Sequence, residues 1–222
     1  LGLKPEEKDA YFLRGSAELE LGDYESAKAD FDKAISMDPK NYDRLIEIYE
    51  ALADYGYREV GQEYLQNVLN TAKQLDAYDS GRIYYYLGDY QKAYLALEEA
   101  KGKGGVDSYL YLGKAYAATG DYNYASSVYS NYLSKQGPDA EIYNQLGLCE
   151  LAKKDYQKAL EAFQAGKQIE GNSLMQTLSF NEIVAYEYLQ DYQKAAVLLN
   201  AYLQNYPDDQ AAIREQQFLS TR

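Results

Sequence analysis

The 222-residue sequence predicts an all-α fold assembled from repeated helix pairs, and three observations carry that prediction. Glycine and proline number 16 and 4, below the average of about 12% for the two together, which favours long helices over a turn-rich β architecture. The phrase LGDYESA at 21–27 returns as LGDYQKA at 87–93, TGDYNYA at 119–125, KDYQKAL at 154–160 and QDYQKAA at 190–196. Residues flanking these phrases recur with the 3.6-residue period of a single helix face.

The aligned tyrosines Tyr24, Tyr90, Tyr122, Tyr156 and Tyr192 are separated by 66, 32, 34 and 36 residues. A degenerate copy, DYGYREVG at 54–61 with Arg58 in the aligned place, divides the first interval into 34 and 32. Six copies follow, at approximately 8–41, 42–74, 75–105, 106–139, 140–174 and 175–207, with 208–222 as a C-terminal capping helix; together they read as one domain, 1–222.

Within a copy, both halves read as helices. In YLYLGKAYAA (109–118), Tyr109, Leu112, Gly113 and Tyr116 stand at i, i+3, i+4 and i+7, and Ala125, Tyr129 and Tyr132 repeat that geometry in the second half. Gly120 ends the first helix because it tolerates a left-handed backbone, and Asp121 is placed to accept from the free N–H groups opening the next. Between copies, DPKN (38–41), GP (137–138) and YPDD (206–209) act as stop and start signals, since proline cannot continue a helix interior. Copy two reverses the usual sizes, with Tyr49 where a glycine stands elsewhere and Gly61 at the alanine place, which predicts an altered crossing of its helices. AKGKGGVD (100–107) predicts a Gly-rich joint, with a pivot at 101–105. DDQAAIREQQFLSTR (208–222) predicts a polar end cap, as a stacked array requires.

These residues resemble the tetratricopeptide repeat (TPR) family, whose pattern is W-x2-L-G-x2-Y, then A-x3-F, then P. Tyr109, Leu112, Gly113, Tyr116, Ala125 and Tyr129 match it in copy four. Tyr143, Leu146, Gly147, Ala159 and Phe163 match in copy five, and Tyr11, Gly15, Ala27, Phe31, Ala34 and Pro39 in copy one. The resemblance implies a right-handed α-solenoid of about six TPR-like helix-turn-helix repeats plus the capping helix. It also implies a concave groove lined by the first helix of each repeat, which binds a peptide or helical segment of a partner protein. Carried across copy by copy, the groove positions are Phe12, Ser16 and Leu19; Ile46, Glu50 and Ala53; Tyr78, Arg82 and Tyr85; Leu110, Lys114 and Ala117; Asn144, Leu148 and Leu151; and Phe180, Val184 and Glu187. Tyr111, Gln145, Asn181 and Tyr188 flank them. The expected partner-binding set is Tyr78, Arg82, Tyr85, Leu110, Tyr111, Lys114, Asn144, Gln145, Leu148, Asn181 and Tyr188, because aromatic and arginine anchors among amide side chains are what interface hot spots are made of. The bland alternative has Phe12, Leu148, Leu151 and Val184 packing against neighbouring helices instead.

Composition narrows the chemistry. With no histidine and one cysteine, Cys149, the chain cannot hold a histidine triad, a histidine-ligated metal or an internal disulfide, so no enzymatic activity, cofactor or metal is expected. KGKGG at 101–105 lacks the spacing and preceding strand of a phosphate loop, and the acidic clusters lack the order of a calcium loop. A net charge of −13, with 13 basic and 22 acidic residues in 1–111, argues against nucleic acid and anionic membranes. The TPR subgroup that clamps a chaperone's C-terminal carboxylate is not matched: Phe12, Ser16, Glu47, Leu75 and Asp79 hold its places, and the acids would repel that ligand. Of the 27 tyrosines, more than half fall at packing positions of the repeat, so they read as architecture before they read as a binding surface.

No apolar run approaches the roughly 20 residues that span a bilayer, and the start at Leu1 instead of Met reads as a soluble fragment lacking its native N-terminus. The scarcity of cysteine suits an exported bacterial protein and a cytoplasmic one alike. The expected function is a non-enzymatic protein-interaction scaffold; the alternatives are a peptide-sensing regulatory domain and an envelope-assembly lipoprotein anchored through a removed N-terminal cysteine.

Overall fold

A computed structural model describes residues 8–100 and 103–221. Lys101 and Gly102 of the expected 101–105 pivot lie outside the described residues, as do the first residues of the chain. Among the described residues there are thirteen helices and no strands, and the chain is an all-α solenoid of helix pairs. The pairs are α1 (Lys8–Glu20) with α2 (Tyr24–Met37), α3 (Tyr42–Asp54) with α4 (Arg58–Thr71), and α5 (Ala77–Tyr86) with α6 (Tyr90–Ala100). They continue as α7 (Gly105–Ala118) with α8 (Tyr122–Gln136), α9 (Ala140–Ala152) with α10 (Tyr156–Lys167), and α11 (Met175–Tyr188) with α12 (Tyr192–Asn205). The thirteenth helix, α13 (Gln210–Leu219), packs on α12. None of them is long and apolar enough to cross a membrane.

The recurring GDY phrase folds as its chemistry dictates. Asp23, Asp121, Asp155 and Asp191 each accept from the backbone N–H three residues on, satisfying a donor that the first helical turn cannot. The residue before each aspartate is left-handed: Gly120 has φ +83°, while Lys154 and Gln190 are forced to φ +65° and +62° at the same place in their turns. Asn41 and Asp139 cap helices that begin a new pair, and Asp209 caps α13.

The chain forms two compact units, Leu1–Ala96 and Leu97–Arg222, with the division falling inside α6. In the first unit, Phe31 and Ala27 of α2 pack with Leu19 of α1 and with Ile48 and Leu52 of α3, while a second cluster joins Leu45, Ile46 and Tyr49 of α3 to Leu65 of α4 and Ile83 of α5. In the second unit, Ala159, Leu160 and Phe163 of α10 pack with Leu178 and Ala185 of α11. A further cluster ties Ile183 to Ala195, Leu199 and Tyr202 of α12 and to Ala212 and Leu219 of α13.

In four of the pairs, close helix approach depends on one small residue facing one ring. A Cβ built on Gly147 would lie 2.3 Å from Cε1 of Phe163, and one on Gly113 would lie 2.2 Å from Cζ of Tyr129. In copy two the roles are exchanged: the ring belongs to Tyr49 on α3 and the room to Gly61 on α4. α13 buries Ala212 and Leu219 and exposes Arg214, Gln216 and Gln217, the polar outer face of a terminal cap, although Phe218 is exposed as well.

Candidate functional site

The first helices of successive pairs carry the candidate groove, and polar side chains link one first helix to the next. In the second unit, Glu141 at the start of α9 accepts from Gln145 Nε2 at 2.9 Å and pairs with Lys114 Nζ of α7 at 3.5 Å. Asn144 of α9 is buried and accepts from Asn181 Nδ2 of α11 at 2.9 Å. These bonds hold the faces of α7, α9 and α11 side by side. Leu148 and Tyr188 stand at the exposed end of that surface, 40% and 54% exposed, and the Tyr188 ring stacks on Tyr156 with centroids 4.9 Å apart. Leu110 and Tyr111 are half-buried on α7, where the Leu110 carbonyl accepts from Tyr129 Oη at 3.4 Å.

The first unit uses the same device with charge. Arg44 of α3 reaches Asp9 of α1 at 2.8 Å and lies 4.1 Å from the centroid of Phe12. Arg82 of α5 reaches Asp43 of α3 at 2.5 Å and Asp79 of its own helix at 2.6 Å, with its guanidinium 4.3 Å from the Tyr78 centroid. Only 7% of Arg82 is exposed. Burial pulls its pKa down, but the bonds to Asp43 and Asp79 outweigh that and hold it above its ordinary value. Tyr85 is half-buried, edge-on to Tyr86 and tilted against Tyr90.

Of the expected partner-binding residues, Tyr78, Arg82 and Tyr85 therefore belong to the first unit, and Leu110, Tyr111, Lys114, Asn144, Gln145, Leu148, Asn181 and Tyr188 to the second. Two of the wider groove positions, Leu19 and Ile46, are core residues, 3% and 4% exposed, because the apolar stripe of these first helices is wider than the single packing row. Glu141, which links α7 to α9, is not among the expected groove positions; its i,i+4 spacing to Gln145 is the one sign of it in the sequence.

Cys149 is buried beside Glu150, and burial followed by that carboxylate pushes its thiol pKa up to about 12. Glu187, at the end of α11, is half-buried with Oε1 lacking a hydrogen-bond partner among the described residues. Burial, then the charge and hydrogen bonding of Glu215 on α13, push its pKa up to about 7.

Paired helices stacked through their first members, with side chains of several pairs lining one face, define a repeat scaffold, a class whose sites are surfaces instead of enclosed pockets. Three tetratricopeptide repeat models match the chain, over residues 8–41, 110–173 and 180–209. The chain belongs to the tetratricopeptide repeat family and is, at that level, a protein-interaction scaffold. Among solved structures it is similar to PilW, a widely conserved type IV pilus biogenesis factor, with a TM-score of 0.68 at 15% identity over 96% of this chain and 97% of that one. It is similar to PilF of Pseudomonas aeruginosa, with a TM-score of 0.57 at 18% identity over 97% of both chains. YrrB, a TPR protein with an unusual peptide-binding site, gives 0.55 at 20% identity over 84% of this chain and 97% of that one. No curated protein matches the sequence.

Proposed function

We propose that the chain works by binding, without catalysis, and that the face formed by α7, α9 and α11 takes a peptide or helical segment of a partner protein. The observation that carries this reading is the Asn144–Asn181 hydrogen bond together with the Lys114–Glu141–Gln145 link. These contacts preorganise three helix faces, so little side-chain entropy is lost when a segment docks on them. Tyr111, Leu148 and Tyr188 would supply aromatic and aliphatic contact area, while the amides of Gln145 and Asn181 can meet a peptide backbone with little regard to its sequence. Tyr78, Arg82 and Tyr85 would play the corresponding part in the first unit, with Arg82 acting through Tyr78 and Asp79 because its own charge is engaged. The peptide-binding site of YrrB, on the same fold, favours this reading.

Panning a displayed random-peptide library on the full chain and on a Leu148→Asp, Tyr188→Ala variant tests it. Both side chains are largely exposed, so the variant is expected to keep its helices, which circular dichroism checks. Peptides selected by the wild type are expected to bind the variant at least tenfold more weakly; equal binding would overturn the assignment of this face.

A further inference from the structure

The first unit holds a cleft of about 280 Å3 between the C-terminal ends of α3 and α5. Its size falls just under the roughly 300–1,000 Å3 of sites for whole small molecules and matches a single inserted side chain. Its walls carry one kind of chemistry. Glu50 and Asp54 lie one turn apart on α3 and are both exposed, and neither is ion-paired among the described residues. Tyr86 Oη donates to Glu50 Oε1 at 2.5 Å and holds that carboxylate in place. Tyr85 meets Tyr86 at an interplanar angle of 81° and Tyr90 at 58°, so the three rings form an angled wall and not a closed stack.

Angled tyrosines beside two carboxylates attract a cation through both ring quadrupole and charge. The chain already uses this combination internally, where Arg44 lies on Phe12 while bound to Asp9 and Arg82 lies on Tyr78 while bound to Asp79. At the α3–α5 cleft the nearby cation is Arg58, which is exposed and donates to Tyr49 Oη at 2.9 Å. Two carboxylates against one guanidinium leave the cleft net negative, within a stretch, residues 1–96, that has 19 acidic and 11 basic side chains.

We propose that this cleft is a docking subsite for a lysine side chain of a partner protein, its aliphatic stem along Tyr85, Tyr86 and Tyr90 and its ammonium between Glu50 and Asp54. A lysine fits better than an arginine, because its slim stem fills a side-chain-sized slot and its compact charge can sit between two carboxylates without displacing Arg58. The cleft shares Tyr85 with the first unit's part of the proposed groove and so deepens that reading there, while the α7–α9–α11 face is tested separately by the Leu148→Asp, Tyr188→Ala variant.

The test titrates the full chain with the peptide acetyl-Gly-Gly-Lys-Gly-Gly-amide and follows tyrosine ring signals by NMR, assigned through Tyr→Phe substitutions. The same peptide with norleucine or glutamate at the centre, and butylammonium alone, are the controls. The lysine peptide is expected to shift the Tyr85, Tyr86 and Tyr90 signals, and binding is expected to weaken at least tenfold in a Glu50→Gln, Asp54→Asn variant. Arg58→Gln, which removes the competing cation, is expected to tighten it about threefold, a gain that mere disturbance of the fold would not produce. Equal shifts with norleucine, binding of the glutamate peptide, or an unchanged affinity in the double variant would overturn the proposal. Butylammonium binding as tightly as the lysine peptide would also overturn it, since the site would then belong to a free amine.

Discussion

Gly61 is the seat of the Tyr49 ring: a Cβ added at Gly61 would lie 2.9 Å from Tyr49 Cδ2 and 3.2 Å from Tyr49 Cα. The second contact is to backbone, so rotating the ring cannot relieve it. Gly61→Ala is expected to destabilise the chain by about 1–3 kcal/mol, although alanine is intrinsically the better helix former. In a Tyr49→Ala background the same substitution should cost about 1 kcal/mol less or become favourable. Urea denaturation of the four proteins of this cycle measures the coupling, and additive effects would mean that ring and glycine are independent.

Lys154 and Gln190 occupy left-handed backbone at turns where four sister copies carry glycine at φ +78° to +88°. A side chain there is strained by roughly 1–2 kcal/mol, while glycine adds freedom to the unfolded chain. Lys154→Gly and Gln190→Gly are therefore each expected to stabilise by about 0.5–1 kcal/mol, additively, since the positions are far apart in the chain. Thermal unfolding of the single and double variants checks this; a loss of stability would mean that these side chains make contacts worth more than the strain.

Cys149 should be inert in the folded protein. With its pKa pushed up to about 12 by burial and then by Glu150, the thiolate population near pH 8 is negligible, and the sulfur is shielded from reagent as well. Reaction with a disulfide reagent is expected to run at least about 100-fold slower than for a free thiol and to reach the free rate in denaturant. A fast native reaction would place Cys149 at the surface.

The Glu187–Glu215 pair is expected to make the docking of α13 sensitive to pH. The folded-state pKa of Glu187, about 7, lies above its ordinary value of 4.5, so the folded state holds the proton more tightly than the unfolded one. The associated stability is complete below about pH 4.5 and is lost as pH rises through about 7. Because Glu187 is only half-buried, solvent reduces the effect to about 1–2 kcal/mol. Glu187→Gln is expected to flatten this part of the stability–pH profile and to protect α13 amides from hydrogen exchange at pH 8. An unchanged profile would mean that the pair is solvated.

Local chemistry was legible in the sequence wherever a residue acts within its own turn or helix pair. Asp121 as a cap, Gly120 as a left-handed turn and the exchange of sizes between Tyr49 and Gly61 are all of this kind, because their partners lie within one helix or one pair. Links between pairs were not legible. Asp43 and Arg82 are 39 positions apart, and nothing in either local pattern says that the aspartate of one first helix will bind the arginine of the next. Arg82 reads from sequence as a cation offered to a partner, whereas in the folded unit removing it would strand Asp79 in a part-buried site. The cleft bounded by Glu50, Asp54 and three tyrosines was hidden for the same reason, since its walls come from different pairs.

The sequence by itself determined that this protein is an array of helix pairs, how many pairs there are, where each turns and which small residue admits each ring, because a repeat encodes its own local geometry again and again. Tertiary structure alone decided which charges are spent on joining one pair to the next and which are left facing solvent. That choice depends on distances of a few ångströms between residues 27 to 39 positions apart, and Coulomb and hydrogen-bond energies change too steeply with distance for a linear pattern to reveal it.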